Sequence, residues 1–263
     1  MKLTNRIDQT FARLKEQKRK AFIAFLTAGY PDLKTTEKLV LALAKSGVDI
    51  IELGIPFSDP VADGPTIQLS SQVALEKGAT LAKIFAMVAR IRQTCDVPIA
   101  FMTYYNPIFY YGEKKFVAEC RKVGVDGLIV PDLPPEEAKT LVSLAKKADV
   151  ATIFFMAPTT RPERLKKVAQ ASTGFIYYVS LTGVTGARVA LPKNITQKIK
   201  EAKQYTDKPV CVGFGISTPD QVKMMAQQAD GVIVGSAIIK AINQYKSVDK
   251  VAQFVEKLSC VLK

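Results

Sequence analysis

A chain of 263 residues with 48% hydrophobic and 23% charged side chains can bury one large core, and nothing in it reads as disordered. The net charge of +13 comes from residues such as Lys114, Lys115, Arg121, Lys122, Arg164, Lys166 and Lys167, dispersed over the polar sides of successive helices without interleaved aromatics; this argues against a nucleic-acid surface, yet suits attraction of a phosphorylated metabolite. No run reaches the length of a membrane span, the N-terminus lacks a signal peptide's apolar core, and Cys95, Cys120, Cys211 and Cys260 form no CxxC pair, so a cytoplasmic protein with reduced core cysteines is expected. Residues 4–18 carry apolar residues at helical spacing and predict a helix ahead of the first strand. After it come eight short apolar, β-branched runs: AFIAFLTAG, VDIIELGIPF, VPIAFMTYYN, GLIVPDL, ATIFFMAP, GFIYYVSLTG, PVCVGFGIS and GVIVGSAII. Amphipathic stretches such as TTEKLVLALAKSG, KKFVAECRKVG and TPDQVKMMAQQA follow them, several with proline in the first turn.

Strict alternation of continuous apolar strands with helices means a parallel sheet covered by helices, and eight such units predict a (β/α)8 TIM barrel of the α/β class. A doubly wound open sheet fits less well, because the first strand ends in LTAGYPD rather than in a glycine fingerprint. The extra N-terminal helix is expected to cover the barrel bottom. With no linker or low-complexity segment, residues 1–263 read as a single domain.

In such a barrel the active site gathers at the C-terminal ends of the strands. Glu52 interrupts the apolar run IIELG, and alternation places it with Val48, Ile50 and Gly54 on one face. A buried glutamate is costly unless it is paired or used, so it reads either as a proton carrier with a raised pKa or as a core residue satisfied by hydrogen bonds. Asp59 and Asp63 follow in the next loop, where aspartate before proline or glycine is also ordinary turn chemistry. Tyr104, Asn106, Asp132 and Tyr177 lie on or just beyond later strands, the tyrosines reading equally as core aromatics. Gly183, Gly186, Gly213, Gly215, Gly235 and Ser236 then accumulate at three successive strand ends, a pattern that suits phosphate binding by backbone amides and a helix N-terminus. The chain has no histidine, which removes the usual proton carrier and any histidine-based metal site. None of the eight runs contains a lysine for a Schiff base, so acid and base work falls to carboxylates and tyrosines.

These residues resemble one family along essentially the whole chain. IELGIPFSDPVADGP, with FLTAGYPD, MTYYNPI, LIVPDLPPEE, SLTGVTGA, VGFGIST and GVIVGSAI in register, is similar to the tryptophan synthase α subunit. The resemblance implies a carbon-carbon lyase reaction without metal or cofactor in this chain, the retro-aldol cleavage of indole-3-glycerol phosphate to indole and glyceraldehyde 3-phosphate. It assigns acid/base catalysis to Glu52 and stabilisation of the indole N–H to Asp63. Phe25 and Phe214 would hold the indole ring, Tyr177 would line the site, and Gly186, Gly215, Gly235 and Ser236 would bind phosphate. Thr185 would belong to a closing loop, in which Leu181 replaces an arginine of some members. A pyridoxal-phosphate-dependent β subunit is the implied partner, in an α2β2 heterotetramer, docking on the segment around Pro56, Asp59 and Pro60 and on the loop NPIFYYG. A free-standing indole-glycerol-phosphate lyase shares the same residues and is the alternative. A noncatalytic activator of the β subunit is disfavoured by the intact Glu52 and Asp63.

Overall fold

The computed structural model describes residues 5–179, 195–213 and 215–262. In chain order the elements are α1 (Arg6–Glu16), β1 (Ala21–Thr27), α2 (Leu33–Lys45), β2 (Ile50–Gly54), α3 (Pro65–Glu76), α4 (Leu81–Ile91), β3 (Ile99–Met102), α5 (Tyr105–Tyr111), α6 (Glu113–Val123), β4 (Gly127–Ile129), α7 (Lys139–Lys147), β5 (Ala151–Ile153) and β6 (Phe155–Met156). They continue with α8 (Pro162–Ala171), β7 (Ile176–Val179), α9 (Ile195–Lys203), β8 (Val210–Gly213), α10 (Pro219–Ala226), β9 (Gly231–Val234), α11 (Ser236–Tyr245) and α12 (Val248–Ser259), before a short 3-10 turn. Pro65, Pro162 and Pro219 open α3, α8 and α10, where the missing N–H costs no intrahelical bond. Gly124 closes α6 in the left-handed conformation that glycine adopts freely.

All strand pairs are parallel, in the order β5-β4-β3-β2-β1-β9-β8-β7-β6. The fifth predicted run, ATIFFMAP, supplies both ends of this sheet: β5 pairs with β4, β6 pairs with β7, and only Phe154 separates them. The Phe154 carbonyl accepts the Tyr177 amide at 3.0 Å, so the sheet closes on itself around eight physical strands, as the run count predicts.

Two apolar layers follow from the alternation of side chains. Ile23, Ile50, Ala100, Ile129, Ile153, Tyr177, Cys211 and Ile233 pack inside the barrel, whereas Phe22, Ile51, Leu53, Phe101, Leu128 and Val232 pack between sheet and helices. Ile7, Phe11 and Leu14, one face of α1, join the inner layer and seal the barrel bottom, each burial worth about 1.5–3 kcal/mol. Asn5 caps this helix by accepting the Ile7 amide at 2.9 Å, and its Nδ2 donates to the carbonyls of Asp126 (2.8 Å) and Asp149 (2.9 Å). Below the strands, the Asp126 carboxylate accepts from Arg6 and from the partly buried Arg92. The helix thus runs from Arg6, slightly shorter than the expected 4–18, with Thr4 outside the described residues.

Two expectations need correction. Cys120 and Cys211 are buried, but Cys95 is only half-buried and Cys260 is exposed, because Cys260 lies at the end of an amphipathic surface helix. NPIFYYG is not an open loop: residues 105–111 form α5. The basic helix faces are solvated as expected, with Lys114, Lys115, Arg121, Lys122, Arg164, Lys166 and Lys167 all exposed.

Candidate active site

Glu52 pairs in register with Phe25 on β1 and Ala100 on β3. Its neighbour of the same parity, Ile50, belongs to the inner layer, so the carboxyl points into the barrel. Only 1% of the residue is exposed, and neither carboxyl oxygen has a hydrogen-bond partner among the described residues. Burial, helped by the nearby charge of Asp63, pushes its pKa up to about 8. At neutral pH the carboxyl therefore carries a proton that no hydrogen bond from the described residues holds in place.

Asp63 occupies the loop between β2 and α3. Its amide donates to the Pro60 carbonyl at 3.0 Å, and Gly64 caps the following helix. Burial lifts the Asp63 carboxyl to about 6, against the lowering effect of a hydrogen bond from the Tyr104 hydroxyl at 3.0 Å. The same hydroxyl accepts the Ala62 amide at 2.9 Å, and the Tyr104 ring packs 5.4 Å from that of Phe57. Burial, then the Asp63 charge, keeps the phenol firmly protonated. Tyr104 sits at the junction of β3 and α5, with the next amide, Tyr105 N–H, fixed by the Asp132 carboxylate at 2.9 Å.

Tyr177 on β7 is buried with its ring centroid 4.8 Å from that of Phe155. Its pKa is driven well up by burial and then by the charges of Glu52 and Asp63, so all three groups converge on one space. Glycine makes the room. A Cβ on Gly213 would lie 2.6 Å from the Tyr177 ring and hydroxyl, and one on Gly54 would lie 2.6 Å from Cζ of Phe25. Phe25 also packs beside Gly235, where a Cβ would meet the Phe25 Cβ at 3.3 Å. Gly235 precedes the first residue of α11, Ser236, and its carbonyl accepts the amides of Ile238 and Ile239. The first-turn amides of α11 therefore point, with the helix dipole, toward the Phe25 side of the mouth, an arrangement suited to an anion. Gly215 adopts φ +77° in the turn after β8.

The structure thus brings Glu52, Asp63, Tyr177, Phe25 and Gly235 together, with Ser236 adjoining. Thr185, Gly186 and Phe214, and with them Gly183 and Leu181, lie outside the described residues. Sequence reasoning left the Tyr104 hydroxyl without a task and missed Gly54 as the gap beneath Phe25. The first joins residues 41 positions apart, which no local pattern announces. The second had a signal, a glycine two residues after Glu52 on the same strand face.

A family model described as "Tryptophan synthase alpha chain" matches residues 11–263. The chain belongs to the tryptophan synthase alpha chain family. Among its relatives, the tryptophan synthase alpha chain of Geobacter sulfurreducens is 50% identical over 257 residues, covering 97% of both chains. That of Geotalea daltonii is 51% identical over 240 residues, 91% of each. Among solved structures, tryptophan synthase subunit alpha from Legionella pneumophila superposes with a TM-score of 0.92 at 36% identity, and a Mycobacterium tuberculosis tryptophan synthase chain with 0.91 at 35%, each covering 98% of both chains.

Proposed function

We propose that Glu52 and Asp63 carry out the alpha reaction of tryptophan synthase, the cleavage of indole-3-glycerol phosphate to indole and glyceraldehyde 3-phosphate. The observation that carries this reading is a fully buried, unpartnered Glu52 with its pKa near 8, facing a second carboxyl near 6 across a barrel mouth. At neutral pH one is an acid and the other an anion, a pairing that a two-step proton chemistry needs.

Protonated Glu52 delivers its proton to C3 of the indole ring, turning the ring into a cationic indolenine. Ionised Asp63 faces the ring N–H and stabilises the positive charge that develops there. The Glu52 carboxylate then accepts the proton of the hydroxyl on the carbon attached to C3. That oxygen becomes the aldehyde carbonyl, the carbon-carbon bond breaks, and its electron pair returns to the ring as indole. Glu52 ends protonated, ready for another turnover, and no cofactor is assigned to this chain. Phe25 packs the apolar ring, and Gly235 and Ser236 receive the phosphate at the start of α11; the family resemblance adds Gly215 and Gly186 to the phosphate side, Phe214 to the indole pocket and Thr185 to the closing loop that bonds Asp63. Tyr177 limits the space beside Glu52.

Indole is then consumed by a pyridoxal-phosphate-dependent β subunit in an α2β2 assembly in the cytoplasm. Val61, Phe109 and Tyr110, which are 75%, 66% and 93% exposed, offer apolar surface on the Asp63 loop and on α5, and exposed Asp59 lies in the same loop. Pro56, by contrast, is buried and contributes shape rather than contact. Indole release from indole-3-glycerol phosphate, compared between wild type and Glu52→Gln, tests the reading. Turnover equal to wild type in the variant would remove Glu52 from the chemistry.

A further inference from the structure

We infer that Tyr104 is the positioning residue for Asp63: its hydroxyl clamps the loop between β2 and α3 through two hydrogen bonds and aims the Asp63 carboxylate across the barrel mouth. The inference rests on the two-carboxylate reading above and extends it to a residue that does not itself react.

The geometry is specific. The Tyr104 oxygen accepts the Ala62 amide at 2.9 Å and donates to Oδ2 of Asp63 at 3.0 Å, so one atom fixes both the backbone before Asp63 and the carboxylate itself. A hydroxyl can donate once and accept, and here both capacities are used on the same loop. The platform beneath it is rigid. Tyr104 is 4% exposed, only Thr103 separates it from β3, its ring rests against Phe57 of the same loop, and the adjoining Tyr105 amide is held by Asp132 from the loop after β4. Ile55 N–H ties the start of the loop to the Met102 carbonyl at 2.8 Å, but among the described residues the bonds further along, Asp63 N–H to Pro60, Val61 N–H to Asp59, and Gln68 Nε2 to the Asp63 carbonyl, are local turns that do not anchor it to the barrel. A loop with exposed Val61 and Ala62 at its tip therefore owes the orientation of its carboxylate to Tyr104.

The bond from a neutral phenol to a carboxylate also favours the ionised form of Asp63, opposing its burial. The titratable groups whose charges meet at Asp63 and its clamp are Glu52 on β2, Tyr177 on β7, Tyr104 itself, and, acting on Tyr104, Asp132. Removing only the hydroxyl leaves the carboxylates in place and deletes a stabiliser of the anion, so Asp63 must titrate higher.

The test is Tyr104→Phe, which keeps the ring against Phe57, assayed by indole release over a pH series alongside Asp63→Asn and the double variant. The expected result is a roughly 10- to 100-fold lower kcat with KM within about two-fold of wild type. The acidic limb of the pH profile should move to higher pH, and Tyr104→Phe should cause little further loss once Asp63 is Asn. Site-specific replacement of Tyr104 by a ring-fluorinated tyrosine, a stronger donor of nearly the same shape, should move that limb to lower pH; this keeps the test decisive if Tyr104→Phe folds poorly. An acidic limb that stays put in both Tyr104 variants, or an undiminished Tyr104→Phe loss in the Asp63→Asn background, overturns the inference. Wild-type turnover in Asp63→Asn alone would instead overturn the two-carboxylate reading on which it rests.

Discussion

Among the described residues the Glu52 carboxyl is buried without a hydrogen-bond partner, a placement that costs free energy whenever the group is ionised and so keeps a proton on it. Two predictions follow from this one residue. The proposed mechanism requires protonated Glu52 and ionised Asp63, so kcat/KM should be bell-shaped, rising through about 6 and falling through about 8. Glu52→Gln should lower kcat by roughly 10²–10⁴-fold with KM little changed, and a pH profile of wild type without a basic limb would contradict the assignment. The second concerns stability. Because the folded-state pKa is raised from 4.5 to about 8, the native state binds this proton more tightly than the unfolded chain does. Its contribution is fully present below 4.5 and is lost as pH rises toward 8, so wild type should fall behind Glu52→Gln across that window. Thermal unfolding of the two proteins at a series of pH values checks this: the gap in Tm should widen in favour of the glutamine variant, and a gap independent of pH would mean that Glu52 is solvated in the native state.

At the level of elements, the site depends on strands that approach closely where a side chain is missing. Gly54 on β2 lets the Phe25 ring of β1, in register with Glu52, approach the strand closely. Gly54→Ala would place a methyl 2.6 Å from Cζ of Phe25, so the ring must move into the indole space. Overpacking of this kind should destabilise the protein by about 1–3 kcal/mol and lower kcat/KM, with Phe25→Leu restoring part of the stability but not of the activity. Chemical denaturation of the single and double variants reads this out, and full stability of Gly54→Ala would refute the close contact. These elements differ in how far they could be read in advance. The alternation of eight apolar runs with amphipathic stretches announced the barrel, and Glu52 announced itself as an acid within an apolar strand. The family resemblance assigned Asp63, Phe25 and Tyr177 to the same site as Glu52. The division of ATIFFMAP at Phe154 was invisible, since closure is set by the neighbours β4 and β7 rather than by the run itself. Helix α5 escaped because YNPIFYY has weak helix propensity and contains Pro107; Asp132, distant in sequence, caps it, and Ile108, Tyr105 and Tyr111 pack it down. Tyr104 was legible as a strand-end aromatic, but its grip on Asp63 is a tertiary contact.

At the scale of the whole molecule, the loop that carries Asp63 into the barrel mouth also carries an exposed apolar side chain, Val61. Residues between Gly54 and Pro65 carry Asp63 inward and Asp59 and Val61 outward, and α5, reached through Tyr104, carries the exposed Phe109 and Tyr110. The other anchored point of this loop is rigid: Phe57 packs on Tyr104, and β2 below it is bonded on both sides. A partner gripping the outer face would therefore shift Asp63 relative to Glu52 without supplying a chemical group, and a small displacement of a catalytic carboxylate changes rate by orders of magnitude. Asp59 is the informative position, because it is exposed and its carboxylate is bonded only to the neighbouring Ser58 hydroxyl at 2.6 Å among the contacts described. Asp59→Ala should leave indole release by the isolated chain within about two-fold of wild type, since a solvent-exposed side chain of this kind contributes little to the fold. Added β subunit at saturating concentration should stimulate the wild-type chain strongly and the variant much less. A Tyr110→Ala variant, which removes apolar contact area rather than charge, should instead require more β subunit to reach the same maximal rate. Titrating indole release against β subunit for the three proteins separates the two effects: a lowered plateau for Asp59→Ala places the loop in the line of communication to Asp63, whereas three superimposable curves would detach this face of the barrel from the control of its chemistry.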